Sequence, residues 1–418
     1  MLVHWIWLAT RPILSAGEKA MLLRHFGDPE EVFYADLDAC KELNLPEKKL
    51  AVLKDKELSE AEDIQRACRR NGIHILTCRD AAYPSKLKNI ADPPLVLYYK
   101  GLLPDFDSVP VIGIVGTRKA SVYGLTVAKR MGYQIGKCGG LVVSGGADGI
   151  DGLAMRGALS AGAPVVGVLG CGVDIVYPPT NGSLFADVQG SGCLISEYPP
   201  GTPPFGYNFP KRNRIISGLS DGVLVVEAPK RSGALITADQ ALQQGRTVYA
   251  VPGNIGVESA EGTNALLKDG ATPVTCGWDV LAEYEKCYPG KIQRYDQVPQ
   301  MCVTEEELQE QASGGLAKVA QKPILPSEKQ GKKGGTDKKG IDKAEQPPYI
   351  DGSDMPELTP QEKALVELLK DGERSIDALA EASGMPSALF MATMTSLELQ
   401  GVVVSLPGKR AALKKQTT

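Results

Sequence analysis

Residues 111–151 constrain the fold most. VIGIVGTRKAS leads through a helical run into LVVSGGADGIDG, so two short apolar strands each enter a glycine-containing turn, and each turn opens a helix. Such turns aim backbone N–H groups and a helix N-terminus at one point, the geometry that holds phosphate. Arg118 and Lys119 add positive charge to the first turn. The same alternation continues to about residue 285. Val/Ile/Leu-rich runs predict strands at 111–115, 141–144, 164–169, 193–197, 222–227 and 247–251, with a last one near 273–276. Apolar runs without polar alternation are what a parallel sheet covered by helices on both faces requires. Ligands of such sheets lie beyond the carboxyl ends of the strands. Every glycine-rich or cationic motif of this stretch falls there.

The flanking regions read differently. Residues 1–72 predict a small helical module: Ser15 and Glu18 are spaced as a capping box before AMLLRHF, Gly27 is a stop, a further helix starts near Pro29, and LNLPEKKLAVL forms a short helical hairpin. It either contacts DNA or a partner, or packs as a cap on the next domain. IHILTC and LVLYY predict strands that join the core sheet, giving a core domain over 73–288. Residues 289–356, with their prolines and the run EKQGKKGGTDKKG, cannot bury a core and read as a flexible linker.

Over 357–418, Thr359 and Glu362 form a capping box with Pro360 at the first helical position. EKALVELLK, SIDALAEAS and SALFMATMTSLELQ follow as helices, and VVVSL, a PGKR turn and AAL as a hairpin, the pattern of a winged helix. Its candidate recognition helix, Ser387 to Gln400, carries no Arg or Lys, so protein contact or packing competes with duplex binding there.

At 418 residues, 43% hydrophobic and 23% charged, the chain is long enough for two or three globular domains. A formal net charge of -4 argues against a protein coated in cations but leaves room for a local basic pocket. Nine scattered cysteines without a C-x-x-C pair read as reduced thiols of a cytoplasmic protein. LVHWIWLA is soon interrupted by Arg11 and Pro12, so neither a signal peptide nor a membrane span is expected.

The first turn is not G-x-G-x-x-G, and no G-x-x-x-x-G-K-[ST] occurs, so neither a dinucleotide fingerprint nor a P-loop is present. The second turn, Ser144 to Asp151, offers a hydroxyl, bare amides and a helix start. Its glycines either contact phosphate or let helix and strand pack closely, and Asp151 either reaches a sugar or braces the loop. A third motif, NFPKRNRI at 208–215, places Lys211, Arg212 and Arg214 at a helix start, against the macrodipole, a conflict that an anionic ligand would relieve.

Phe209 or Tyr207 beside these cations offers a surface for a base to stack on. Lys230 to Gly233 and Pro252 to Asn254 close the rim, while Glu197 and Glu227 either do acid–base work or anchor arginines. The only histidines, His4, His25 and His74, lie outside 110–285, which removes a Ser-His-Asp triad and a histidine-ligated metal from that domain. No cofactor is expected, and a binding protein is favoured over an enzyme. A nucleotide-binding or nucleotide-cleaving Rossmann-like enzyme is the alternative.

In these strings the sequence resembles the DprA family of DNA-processing proteins, also called Smf. They are GTRKAS at 116–121, SGGADGID at 144–151, FPKRNRIISGLS at 209–220, VVEAPKRSGALITA at 225–238, VPGN at 251–254 and EGTNALLKDGA at 261–271. The resemblance implies an extended Rossmann-like core that binds single-stranded DNA without sequence preference, dimerises and loads the RecA recombinase on incoming DNA in natural transformation. Carried over residue by residue, it implies a DNA pocket lined by Gly116, Thr117, Arg118, Ser144, Gly145, Gly146, Ala147, Lys211, Arg212, Asn213, Arg214 and Gly233. Ile215 would be an apolar contact to the strand. Arg118→Ala or Arg212→Glu is then expected to remove most binding and leave the fold intact.

Overall fold

In the computed structural model the described residues are 1–295 apart from 37–42 and 44, then residue 304, and within 365–413 residues 365–369, 374–383, 385, 390, 393–394, 397, 403–406 and 410–413. They fall in two compact units, Met1–Pro323 and Ile324–Thr418.

The first unit is built on a nine-stranded sheet: β1 (His74–Thr77), β2 (Val96–Gly101), β3 (Val111–Val115), β4 (Leu141–Ser144), β5 (Val165–Leu169), β6 (Cys193–Ser196), β7 (Gly222–Val225), β8 (Thr247–Ala250) and β9 (Thr272–Pro273). Their order is β1-β2-β6-β5-β4-β3-β7-β8-β9. The pairs from β6 to β9 are parallel, and β1 and β2 are antiparallel additions at one edge. Strands β3 to β7 are buried at every residue, as their unbroken apolar sequence requires. The chain winds outward from β3 to β6, then returns to place β7 on the other side of β3. A crevice therefore opens beyond the carboxyl ends of β3 and β7.

The helices of this unit are α1 (Leu2–Thr10), α2 (Ala16–Phe26), α3 (Pro29–Tyr34), α4 (Glu47–Ala51), α5 (Ser59–Arg70), α6 (Ser85–Lys88), α7 (Val122–Lys137), α8 (Ile150–Ser160), α9 (Gly182–Ser191), α10 (Asn208–Leu219), α11 (Gly233–Gln243), α12 (Glu261–Lys268) and α13 (Gly277–Leu281). The expected capping box forms at α2: the Ser15 hydroxyl accepts from Glu18 N–H, and the Glu18 carboxylate accepts from Ser15 N–H at 2.9 Å. Gly27, at φ 88°, ends that helix. α1 buries Trp5, Ile6, Trp7 and Leu8 in a core shared with Leu95, Val96 and Tyr98 at β2, so the apolar stretch near the start of the chain seats the N-terminal helices on the sheet edge. Among the described residues no helix is long and apolar enough to cross a membrane.

α7 and α8 carry the two glycine turns and touch backbone to backbone. A side chain on Gly132 of α7 would strike the Ala154 carbonyl of α8, and one on Gly157 of α8 would strike the Lys129 carbonyl of α7. This approach fixes the spacing of the two turns. Gly132→Ala or Gly157→Ala is predicted to destabilise the unit by about 3 kcal/mol through overpacking. Gly190→Ala in α9, where nothing lies within 4 Å of the added methyl, should be neutral or stabilise by up to about 1 kcal/mol. Urea denaturation of the three variants measures both.

The second unit contains β10 (Arg374–Ser375), α14 (Ile376–Ser383), β11 (Val403–Leu406) and β12 (Arg410–Leu413), in an antiparallel sheet of order β10-β12-β11. Leu365, Leu369, Leu379, Phe390, Met394, Leu397, Val403 and Ala411 form its core. The second helix and the hairpin of the sequence reading are present. The Thr359–Glu362 capping box, most of the 289–356 linker and much of the candidate recognition helix lie outside the described residues.

Candidate nucleic-acid interface

A cavity of about 950 Å³ opens at the β3/β7 crevice. It is lined by Val115 to Lys119 after β3, Ala147 and Asp151 after β4, Phe209, Arg212, Asn213 and Ile216 of α10, and Arg231 to Ala234 where α11 begins. A smaller annex between Arg118, Gly145, Asp148, Tyr177 and Phe209 adjoins it.

The two glycine turns shape the floor by packing on each other. Gly116 lies where any side chain would collide with Ile150, and Gly149, at φ 80°, lies against the Thr117 carbonyl. The Ser144 hydroxyl and the Gly145 amide of the second turn are occupied. Ser144, fully buried, donates its hydroxyl to the Ile114 carbonyl at 2.6 Å, and Gly145 N–H donates to the Asp151 carboxylate at 3.1 Å. Gly146, at φ 64°, packs its backbone on Phe185 and has its carbonyl taken by Asn181 Nδ2. The expectation that Ser144 and Gly145 offer donors to phosphate is corrected by these partners. Ala147 and Asp151 do face the cavity.

Asp151 and Arg212 form the centre. Arg212 is 4% exposed and donates Nη1 to the Gly145 carbonyl at 2.8 Å and to the Val168 carbonyl, while its Nε reaches Asn213 Oδ1 at 3.2 Å. Burial lowers its pKa to about 10, partly offset by the neighbouring Asp151 charge. Burial likewise raises the Asp151 pKa, opposed by Arg212, by the Ala147 amide, by Arg118 and by the Gly116 amide. Asp151 thus gathers amides from both turns, and Arg212 ties β4 to β5 and to α10. Both are braces that also present a polar face to the cavity.

The cations of NFPKRNRI separate. Lys211 is exposed, with Nζ 5.6 Å from the Tyr207 ring centroid. Arg214 is 7% exposed and donates Nη2 to both carboxylate oxygens of Glu197 at 2.7 and 2.8 Å and Nε to Asp92 at 2.9 Å. It does not line the cavity. Ile215 is fully buried in the core under the sheet, and Ile216 is the residue at the cavity wall. Arg214 and Ile215 are therefore corrected as candidate contacts. α10 begins at Asn208, so its cations sit past the first turn, and Arg214 is neutralised by carboxylates without any ligand. Glu197 anchors an arginine; Glu227 instead accepts from Ser121 N–H at 2.9 Å, Ser121 hydroxyl at 2.7 Å and Ser259 hydroxyl at 3.0 Å.

The exposed cations at the rim are Arg118, Lys119 and Arg231, and one exposed carboxylate, Glu258, lines the same cavity. Gly233 faces open space, and Asn213 Nδ2 donates to its carbonyl at 3.3 Å, which joins α10 to the start of α11. Sequence reasoning missed Tyr177, Thr237 and Ser259 on the wall. Ser232, within the expected rim loop, is the N-cap whose hydroxyl accepts from Ala234 N–H.

A family model described as DNA recombination-mediator protein A matches residues 74–302. The chain belongs to that family. A second model, the DprA winged helix domain, matches residues 352–409, so the small antiparallel unit is a winged helix. The chain is 42% identical to the DNA processing protein DprA of Bacillus subtilis over 217 residues, 52% of this chain and 73% of that protein. It is 34% identical over 338 residues to the protein Smf of Synechocystis, covering 80% of this chain and 79% of the relative. The X-ray structure of DprA from Streptococcus pneumoniae superposes with a TM-score of 0.60 at 32% identity, over 68% of this chain and 98% of that one.

The expectation that Arg212→Glu leaves the fold intact does not survive the geometry. The variant would bury a second carboxylate beside Asp151 and orphan two carbonyls, and is predicted to destabilise the unit by about 3–5 kcal/mol. Arg118→Ala, at an exposed site, should stay within about 0.5 kcal/mol of the parent. Denaturant melts of the two variants give the comparison.

Proposed function

We propose that this chain binds single-stranded DNA without sequence preference in the β3/β7 cavity, and acts as a recombination mediator that dimerises and promotes loading of RecA. The observation that carries the reading is the convergence of Arg118, Lys119, Arg231 and the N-terminus of α11 on one cavity at the topological switch point. Oriented amides and the helix dipole favour anions there, and the exposed cations neutralise backbone phosphates. A flexible strand can feed its backbone into a pocket of about 950 Å³. A duplex presents its phosphates on a wide, stiff cylinder that cannot enter. The interior pair acts indirectly, Arg212 and Asp151 holding the turns, while the exposed Arg118 guanidinium lies over the Phe209 ring, 5.4 Å from its centroid. Family membership supports the setting of DNA processing, and incoming DNA in natural transformation is the physiological substrate proposed.

Fluorescence anisotropy of the full chain with labelled oligo-dT and with the matching duplex, in a salt series, tests the binding. With four phosphates neutralised by Arg118, Lys119, Lys211 and Arg231, log affinity should fall with log salt at a slope of about -3. Arg118→Ala should weaken binding about tenfold at constant stability, the loss of one charge-assisted contact. Equal affinity for duplex, or indifference to Arg118, would remove the cavity from DNA binding.

A further inference from the structure

We infer that Phe205 and Tyr207 form a second base-binding subsite outside the cavity, on which a base of single-stranded nucleic acid stacks as the strand leaves the pocket. The subsite rests on the cavity's reading as a single-strand site and extends it. The two rings are stacked, with centroids 5.4 Å apart and planes 6° from parallel. Phe205 is 45% exposed and Tyr207 63% exposed. A lone exposed aromatic needs no explanation. Two rings stacked on each other and turned to solvent present the outer face of the stack as a flat apolar platform, and nucleobases of any identity present a matching π-face.

Three features make this platform a built one. First, its position: Pro204 and Gly206, which alternate with the two aromatics along the chain, line the cavity wall, so the platform is continuous with the pocket rim. Second, its rigidity. The loop contains Pro199, Pro200, Pro203 and Pro204, Gly201 N–H donates to the Asp174 carboxylate at 3.0 Å, Gly172 N–H donates to the Thr202 carbonyl at 2.9 Å, and Asn208 N–H donates to the Phe205 carbonyl at 2.9 Å. An immobilised platform loses little further entropy when a base lands on it. Third, its charge: the exposed Lys211 ammonium lies over the Tyr207 ring, where it can meet the phosphate that follows a stacked base.

Tyr207 is not held in place by a capping bond. It is the N-cap residue of α10, a position that selects Ser, Thr, Asp or Asn for a side-chain bond, and it makes no cap hydrogen bond. The other aromatic of this stretch is already engaged. Phe209 is half-buried, its ring lies against Gly170, and the Arg118 and Arg212 guanidiniums sit over it at 5.4 and 5.8 Å. It spaces the arginines, which leaves base stacking to the pair outside.

The experiment uses the full chain and its Phe205→Ala/Tyr207→Ala variant, with Tyr207→Phe as the conservative control. Binding is measured to an oligo-dT of about 4 nucleotides, to one of about 12, and to a 12-mer of abasic units, spanning the usual range of single-strand site sizes. The platform predicts that the double variant keeps wild-type melting and wild-type affinity for the short oligonucleotide. It should lose about tenfold for the long one, while Tyr207→Phe binds as wild type. The abasic strand should bind the wild type and the double variant equally. Wild-type affinity of the double variant for the long oligonucleotide, with salt-sensitive binding by the parent, would overturn the platform and spare the cavity. An equal loss on the abasic strand would also overturn it, since the rings would then act without bases. Failure of the parent chain to bind any oligonucleotide would overturn both.

Discussion

The buried guanidinium of Arg212 is the interaction on which the site depends. It sits at the carboxyl ends of β4 and β5, donating to carbonyls of Gly145 and Val168, with the Asp151 carboxyl beside it gathering amides of both glycine turns. A charge in such a place is costly unless every donor finds an acceptor. The turns, in satisfying it, are pinned in one conformation. Close helix approach at Gly132 and Gly157 sets the same spacing from the opposite end of α7 and α8. The cavity is therefore preformed, with its walls held by strands and helices, and ligand binding need not order it.

This arrangement divides the basic residues by task. Arg212 and Arg214 are consumed inside, by carbonyls and by the Glu197–Asp92 pair. Arg118, Lys119 and Arg231 are left at the rim and Lys211 just outside it, where solvent and salt reach them. Rim cations attract a polyanion and give binding its salt dependence, while buried ones set geometry. A protein of net charge -4 can thus hold an anion site, because several of its exposed cations lie together at one crevice.

The strands were legible in the sequence because they are buried on both faces: predicted 111–115 and 141–144 match β3 and β4 to the residue, and 164–169 differs from β5 by one. The Ser15–Glu18 capping box was legible because it is local. The tasks of NFPKRNRI were not. Consecutive side chains of a helix point in different directions, so Lys211 reaches solvent, Arg212 the turn, Arg214 Glu197 and Ile215 the core. Only the tertiary partners, distant in sequence, decide which is which. The same holds for Ser144, whose hydroxyl looked available until Ile114 was beside it. Phe205 escaped notice because a proline-rich loop carries no periodicity to mark a residue as exposed or buried.

A strand's backbone is held by the rim and by the start of α11, while the Ser144 hydroxyl and the Gly145 amide of the second glycine turn are already satisfied within the protein. Hydrogen exchange of the full chain with and without oligo-dT addresses it most directly. Peptides covering 116–121 and 229–237 should gain protection on binding, whereas Gly145, whose amide is already bonded to Asp151 in the free protein, should not change. New protection confined to other surfaces, or fast exchange at Gly145 that slows on binding, would contradict this.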